Sequence, residues 1–331
     1  MSTGRSTVLG CADLDATVDF FTSLGYRLDV IWPADDPSVA VLSHGDGPGV
    51  RLVRRPAPDL ERDDLDLDEG QEGPVPMPAG KASFELTHVE DTDSGVGRAG
   101  MHYRDLLPAR QDGRFIASHI LIPDGGPVPD YVHHHRVRFQ LIYCAAGWVR
   151  VVHEDQGPPF VLAAGDCVLQ PPGIRHRVLE ASPGLQVVEI GCPAEHPTFV
   201  EHSITLPTDE VVADRRWDAQ GFVRHVAVDA AWEPWRATGF ECRDTGIAAA
   251  TDGLAAVRVV RPCPSSSDAH LPPHGGEFLF WYVLSGVAVL RCGGRSERLA
   301  AGTALAAPAD VSFALVDVSE DLELLEVMLP S

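Results

Sequence analysis

His133 and His135 stand two positions apart in the stretch Tyr131-Val-His-His-His-Arg-Val-Arg-Phe-Gln140. On a β-strand that spacing projects both imidazoles from one face. Gln140 lies on the same strand or the next. His176 ends a second stretch, Gly165-Asp-Cys-Val-Leu-Gln-Pro-Pro-Gly-Ile-Arg-His176, whose Pro-Pro-Gly turn delivers it from a separate strand. Three imidazoles and one amide oxygen converging inside a barrel would form a mononuclear metal site with open positions. Fe(II) is the expected divalent ion, with Zn, Ni or Mn as alternatives. These donors are neutral, so they leave the dication uncompensated and favour an anionic ligand such as an enolate, phenolate or carboxylate.

Five arginines, Arg136, Arg138, Arg150, Arg175 and Arg177, fall inside or beside these stretches of an otherwise acidic chain. Each either lines the pocket and orients an anion or, by strand alternation, faces solvent; Arg138, Arg150 and Arg175 are the candidates for substrate contact. Tyr131 shares parity with His133 and His135, as a donor in the pocket or as a packed core residue. Cys144 shares parity with Gln140, as part of the pocket wall or as a small buried hydrophobe.

The two stretches resemble the signature motifs of the cupin superfamily, G-x5-HxH-x3,4-E-x6-G and G-x5-P-x-G-x2-H. His133, His135, Gly147, Gly165, Pro171, Gly173 and His176 match, with one additional residue between Gly126 and His133. Gln140 stands where most metal cupins carry Glu. The resemblance implies double-stranded β-helix (jelly-roll) barrels and a metal held by His133, His135, His176 and Gln140.

The elements that must position these residues repeat. Arg104-Asp105, Pro123, His135 and Gly147 recur 139 positions later as Arg243-Asp244, Pro262, His274 and Gly286, while Gly165 and Pro171 recur 137 positions later as Gly302 and Pro308. A nearly constant offset marks a duplicated domain. Short apolar strands punctuated by Gly and Pro suit an antiparallel barrel. In the second copy Pro272, Leu279 and Phe313 replace His133, Gln140 and His176, so that copy is expected to be structural. His270 and Glu277 beside His274 leave a displaced site as the alternative. The pairing of one metal barrel with one degenerate barrel is similar to gentisate-type ring-cleaving dioxygenases, which are bicupins.

Ahead of the repeat, Thr7–Cys11, a helix over Leu14–Leu24 capped by Asp13, and three further strands give a βαβββ order up to residue 56. That order, with Asp-Leu-Asp-Ala-Thr-Val-Asp-Phe-Phe and Leu-Gly-Tyr, resembles one module of the vicinal oxygen chelate (glyoxalase) fold, without that family's metal histidine near Ser6. The expected fold is therefore mainly β. A small α+β module (1–56), expected to hold no metal, precedes an acidic Pro/Gly-rich linker (57–80), a metal-binding cupin barrel (81–200) and a degenerate barrel (201–331).

Composition narrows the partners. The chain has 331 residues, 44% of them hydrophobic, enough for two or three compact cores, and a formal charge of −22 opposes nucleic acid or an anionic membrane as partner. Seven cysteines without CxxC spacing read as reduced intracellular thiols, and the N-terminus lacks an apolar signal segment, so the expected location is cytoplasmic. An unpaired half-module points to a homodimer. Three functions follow as expectations. The first is a non-haem Fe(II) dioxygenase that takes O2 and a small anionic, enolisable or dihydroxyaromatic substrate. The second is a redox-neutral isomerase, lyase or hydrolase acting on a small acid or sugar acid, with Tyr131, Glu189 or a metal-bound hydroxide as candidate base. The third is a non-catalytic ligand-binding protein.

Overall fold

The computed structural model describes residues 7–45, 47–55, 75–96, 100–264, 268–309 and 311–330. The acidic run of the expected linker and Ser6 lie outside these residues. The described chain is mainly β, two tandem cupin barrels preceded by a small α+β module.

In the N-terminal module the Asp13 carboxylate accepts from the Ala16 amide at 3.0 Å and starts the helix Leu14–Ser23. Its apolar side sets Leu14, Val18 and Phe21 on Ile31, Ala40, Leu42, Val50 and Leu52 of a four-stranded sheet. In that sheet Thr7–Cys11 runs parallel to Val50–Arg54, followed by Val39–Ser43 and then Arg27–Trp32. The sheet does not stop at its own edge. Arg27–Trp32 pairs with Thr198–Val200, which pairs in turn with His133–His135, so module and metal-binding barrel share one sheet. The half-module expected to want a second copy therefore finds one partner within its own chain.

Residues 141–146 and 278–284 of the strands Phe139–Ala146 and Gly276–Ser285 are continuously apolar, and most of their side chains on both faces are buried. Leu141 and Tyr143 from the first barrel, and Phe278, Phe280 and Tyr282 from the second, meet in one core between the barrels. There Phe115 stacks on Phe278 with centroids 3.9 Å apart. The alternate residues, Gln140, Ile142 and Cys144, turn into the first barrel.

Strands are also exchanged across the boundaries expected from the sequence, at residues 81–200 and 201–331. Glu85–Thr87 adds to the second barrel beside Ala304–Ala307, and Val223–His225 adds to the first beside Cys167–Leu169. The repeated Arg104 takes part by donating to the Gly302 carbonyl at 2.8 Å.

The second barrel is filled. Trp281 packs against Phe313 at 5.7 Å among Leu271, Leu279 and Val283. The fully buried Glu326 carboxylate accepts from the Trp281 indole at 2.9 Å and pairs with Arg236. The displaced-site alternative is not assembled: His270 is exposed, His274 bonds the Ala307 carbonyl at 3.2 Å, and Glu277 is taken by Arg114 and Arg138.

Candidate metal centre

Strand register brings the histidines together. His133 and His176 are direct cross-strand partners, and His133 and His135 share a strand face. The turn before His176 holds Gly173 at φ +78°, a left-handed conformation that suits glycine, and its amide donates to the His135 carbonyl at 3.0 Å. The turn is thus tied to the strand whose histidines it must face. The ligand atoms of His133, His135 and His176 lie within 4.8 Å of one another, and all three residues are buried.

Each ring has its Nδ1 engaged by a neighbouring group outside the cluster. The Tyr131 carbonyl lies 2.8 Å from Nδ1 of His133 and the Ile174 carbonyl 3.0 Å from Nδ1 of His176. A carbonyl only accepts, so both Nδ1 atoms carry the proton and Nε2 carries the lone pair. Thr198 Oγ1 stands 3.1 Å from Nδ1 of His135, and the Asp130 carboxylate 3.6 Å from Nδ1 of His133. Oriented imidazoles backed by carbonyl, hydroxyl and carboxylate groups fit a divalent metal. Among the described residues this is the group of His, Cys, Asp or Glu side chains placed to hold one. Thr198→Val, which keeps the shape and removes the hydroxyl, is expected to weaken Zn binding about tenfold in a competition titration. Unchanged affinity would remove Thr198 from the site.

Gln140 is buried on the cavity wall, and its amide nitrogen donates to Glu189 at 2.7 Å. That contact orients the amide and leaves its oxygen as the acceptor end. The cavity, about 100 Å³, has mostly apolar walls that include Ile120, Ile142, Val151, Leu162 and Val187. Glu189 is the carboxylate among its lining residues and Arg177 the guanidinium.

The other sequence candidates are placed elsewhere. Arg150 is on the outer face of its strand, paired with Glu180 at 2.9 Å, because Val149 and Val151 take the inward positions. Arg138 reaches across to Glu277 of the second barrel at 3.0 Å, and Arg175 pairs with Glu201 at 3.3 Å. Cys144 faces inward and packs with the wall residues Val149, Leu162 and Leu185 without itself lining the cavity, and burial pushes its thiol up to about 12. Tyr131 sets its ring edge-on to His133 at 5.7 Å and lines the neighbouring cleft.

His153 and Gln170 line the cavity without having been singled out from the sequence. The Gln170 amide nitrogen lies 3.1 Å from Nε2 of His153, and His153 is the register partner of His176. Its burial drives the imidazole well below its ordinary pKa, so it stays neutral. The signals were available: His153 shares parity with Val149 and Val151, and Gln170 precedes Pro171 within the second motif.

Residues 118–189 match the family model described as the cupin domain, a stretch that includes His133, His135, Gln140, His176 and Glu189. No functionally curated protein matches the chain in sequence. Among solved structures, oxalate decarboxylase from Lactobacillus farciminis, in a formate complex, is 12% identical with TM-score 0.56, over 76% of this chain and 88% of that one. Bacillus subtilis oxalate decarboxylase at pH 4.6 is 14% identical with TM-score 0.54, over 87% and 86%. The protein Ylba from E. coli is 13% identical with TM-score 0.53, over 81% and 96%. At these identities the likeness is one of fold, and the fold this chain shares with them is that of tandem cupin barrels.

Proposed function

We propose that this protein is a metal-dependent enzyme, an Fe(II) dioxygenase acting on a small enolisable substrate with an apolar body, such as a 1,3-dicarbonyl. The observation that carries this reading is a neutral three-histidine cluster opening on a small, largely apolar cavity. His133, His135 and His176 would hold the ion and Gln140 would turn its amide oxygen towards it. When bound, the metal supplies positive charge for two substrate oxygens and, as iron, redox capacity towards O2. The neutral donors favour the enolate over the neutral ketone. Glu189, anchored by Gln140 at 2.7 Å, takes the proton that the substrate loses on ionising. The apolar walls exclude water and strengthen the attraction between cation and enolate. The module resembling a vicinal-oxygen-chelate unit contributes no residue to this cavity and joins the barrel through the strand Thr198–Val200.

The test is oxygen uptake by anaerobically iron-loaded protein across 1,3-diketones, keto acids and dihydroxyaromatic acids. Uptake with a diketone is expected; none across the panel would overturn the dioxygenase reading. Glu189 also favours a second reading, a redox-neutral isomerase or lyase, because a base beside a Lewis acid suffices for proton abstraction. That reading requires full turnover with Zn or Mn under nitrogen. Under either reading Glu189→Gln is expected to lower kcat at least about 100-fold while metal content stays stoichiometric. An unchanged kcat would take Glu189 out of the chemistry.

A further inference from the structure

Between the N-terminal module and the first barrel lies a second cavity, an open cleft of about 720 Å³. Three of its lining residues adjoin the metal centre. Tyr103 lines both the cleft and the metal cavity. Ser118 is the register partner of Glu189. Tyr131 holds Nδ1 of His133 through its carbonyl. The cleft therefore adjoins the metal cavity, with Tyr103 as the wall common to both.

The walls of this cleft are strongly acidic, with seven aspartates against two arginines. Both arginines are already spent on cleft aspartates: Arg54 pairs with Asp36 at 2.9 Å, and Arg110 with Asp35 and Asp105 at 2.8 Å each. Asp15, Asp19 and Asp93 are exposed on the same walls. A cleft lined by one sign of charge focuses its field along its axis, speeding the entry of cations and slowing that of anions.

We propose that this cleft is the entry route to the metal centre and that its charge selects what enters: the divalent ion is drawn in, the organic substrate arrives neutral, and dianions are held back. The proposal rests on the three-histidine centre described above and deepens the functional reading. The substrate crosses the acidic cleft as the neutral ketone or enol and loses its proton only inside, to Glu189. Charge selection is thus separated from chelation, and the N-terminal module gains a role, since its helix and Asp35–Asp36 loop form one wall.

The test uses the whole metal-free chain and Co(II) as probe, followed by stopped-flow absorbance at 20 mM and 1 M NaCl. The variant Asp15→Asn/Asp19→Asn/Asp93→Asn is compared with Glu233→Gln/Asp268→Asn/Glu320→Gln, which removes the same charge from exposed positions of the second barrel. The cleft variant is expected to take up Co(II) about three- to tenfold more slowly at low salt, with the difference gone at high salt, while the remote variant matches the wild type. With Co(II)-loaded protein, oxalate association should quicken in the cleft variant and acetylacetone association should not change. Equal Co(II) uptake rates in all three proteins would overturn the entry route and leave the centre standing. No Co(II) uptake by the wild type would overturn the centre, and the route with it.

Discussion

His135→Ala is expected to reduce metal content from near-stoichiometric to trace, as read by mass spectrometry on wild type and variant purified side by side. The site offers three imidazole ligands, and His135 is the one backed by Thr198 at 3.1 Å. Removing an outer partner of a ligand typically costs 10–100-fold in metal affinity, so losing the ligand itself should exceed about 100-fold. Any metal-dependent turnover would disappear with it. The fold should survive, because the core between the barrels and the filled second barrel do not include His135. His153→Ala is the control: it also removes a buried imidazole facing the cavity, yet His153 is not in the ligand group, so metal content should hold. Equal metal in wild type and His135→Ala would refute the centre as drawn.

The second large effect is on stability against acid. Burial lowers the imidazoles of His119, His134, His153 and His196, with His134 brought down to about 4. The unfolded chain takes up these protons near pH 6.5, whereas the folded chain resists until lower pH. Stability is therefore greatest above about pH 6.5 and is lost as pH falls towards 4. His134 alone accounts for about 2 kcal/mol between pH 7.5 and 5, and the other three act in the same direction. The opposing effect, relief of the repulsion behind a net charge of −22, grows mainly below pH 5, where carboxylates begin to protonate. Urea midpoints of the metal-free protein should fall clearly from pH 7.5 to 5. A constant midpoint would mean that these histidines are protonated without penalty. Metal loading should steepen the loss, because ligand imidazoles must be deprotonated to bind.

Much of the centre was legible in the chain itself. The two-residue spacing of His133 and His135 fixes a shared face, and Pro-Pro-Gly before His176 fixes a turn, because both follow from local backbone geometry. The duplicated offsets and the loss of three of the four site positions in the second copy likewise announced two barrels, one of them filled. Alternation also held where its register was local, putting Gln140 and Cys144 on one face and Leu141 and Tyr143 on the other.

What alternation cannot supply is the identity of whatever faces a side chain from a distant part of the chain. Arg138 and Arg175 lie in motif stretches, yet Glu277 is 139 positions from the first and Glu201 directly follows the strand Thr198–Val200. Inward parity placed Cys144 inside the barrel but not at which depth, so packing, not spacing, kept it off the cavity wall. The Gln140–Glu189 contact, the strand exchange between barrels and the joining of the N-terminal sheet through Thr198–Val200 all pair segments far apart in sequence. The sequence by itself determined which residues could bind a metal, because ligand type and local spacing are short-range properties. Only the tertiary structure decided what surrounds them, because strand pairing and burial depend on which surfaces meet when the whole chain closes.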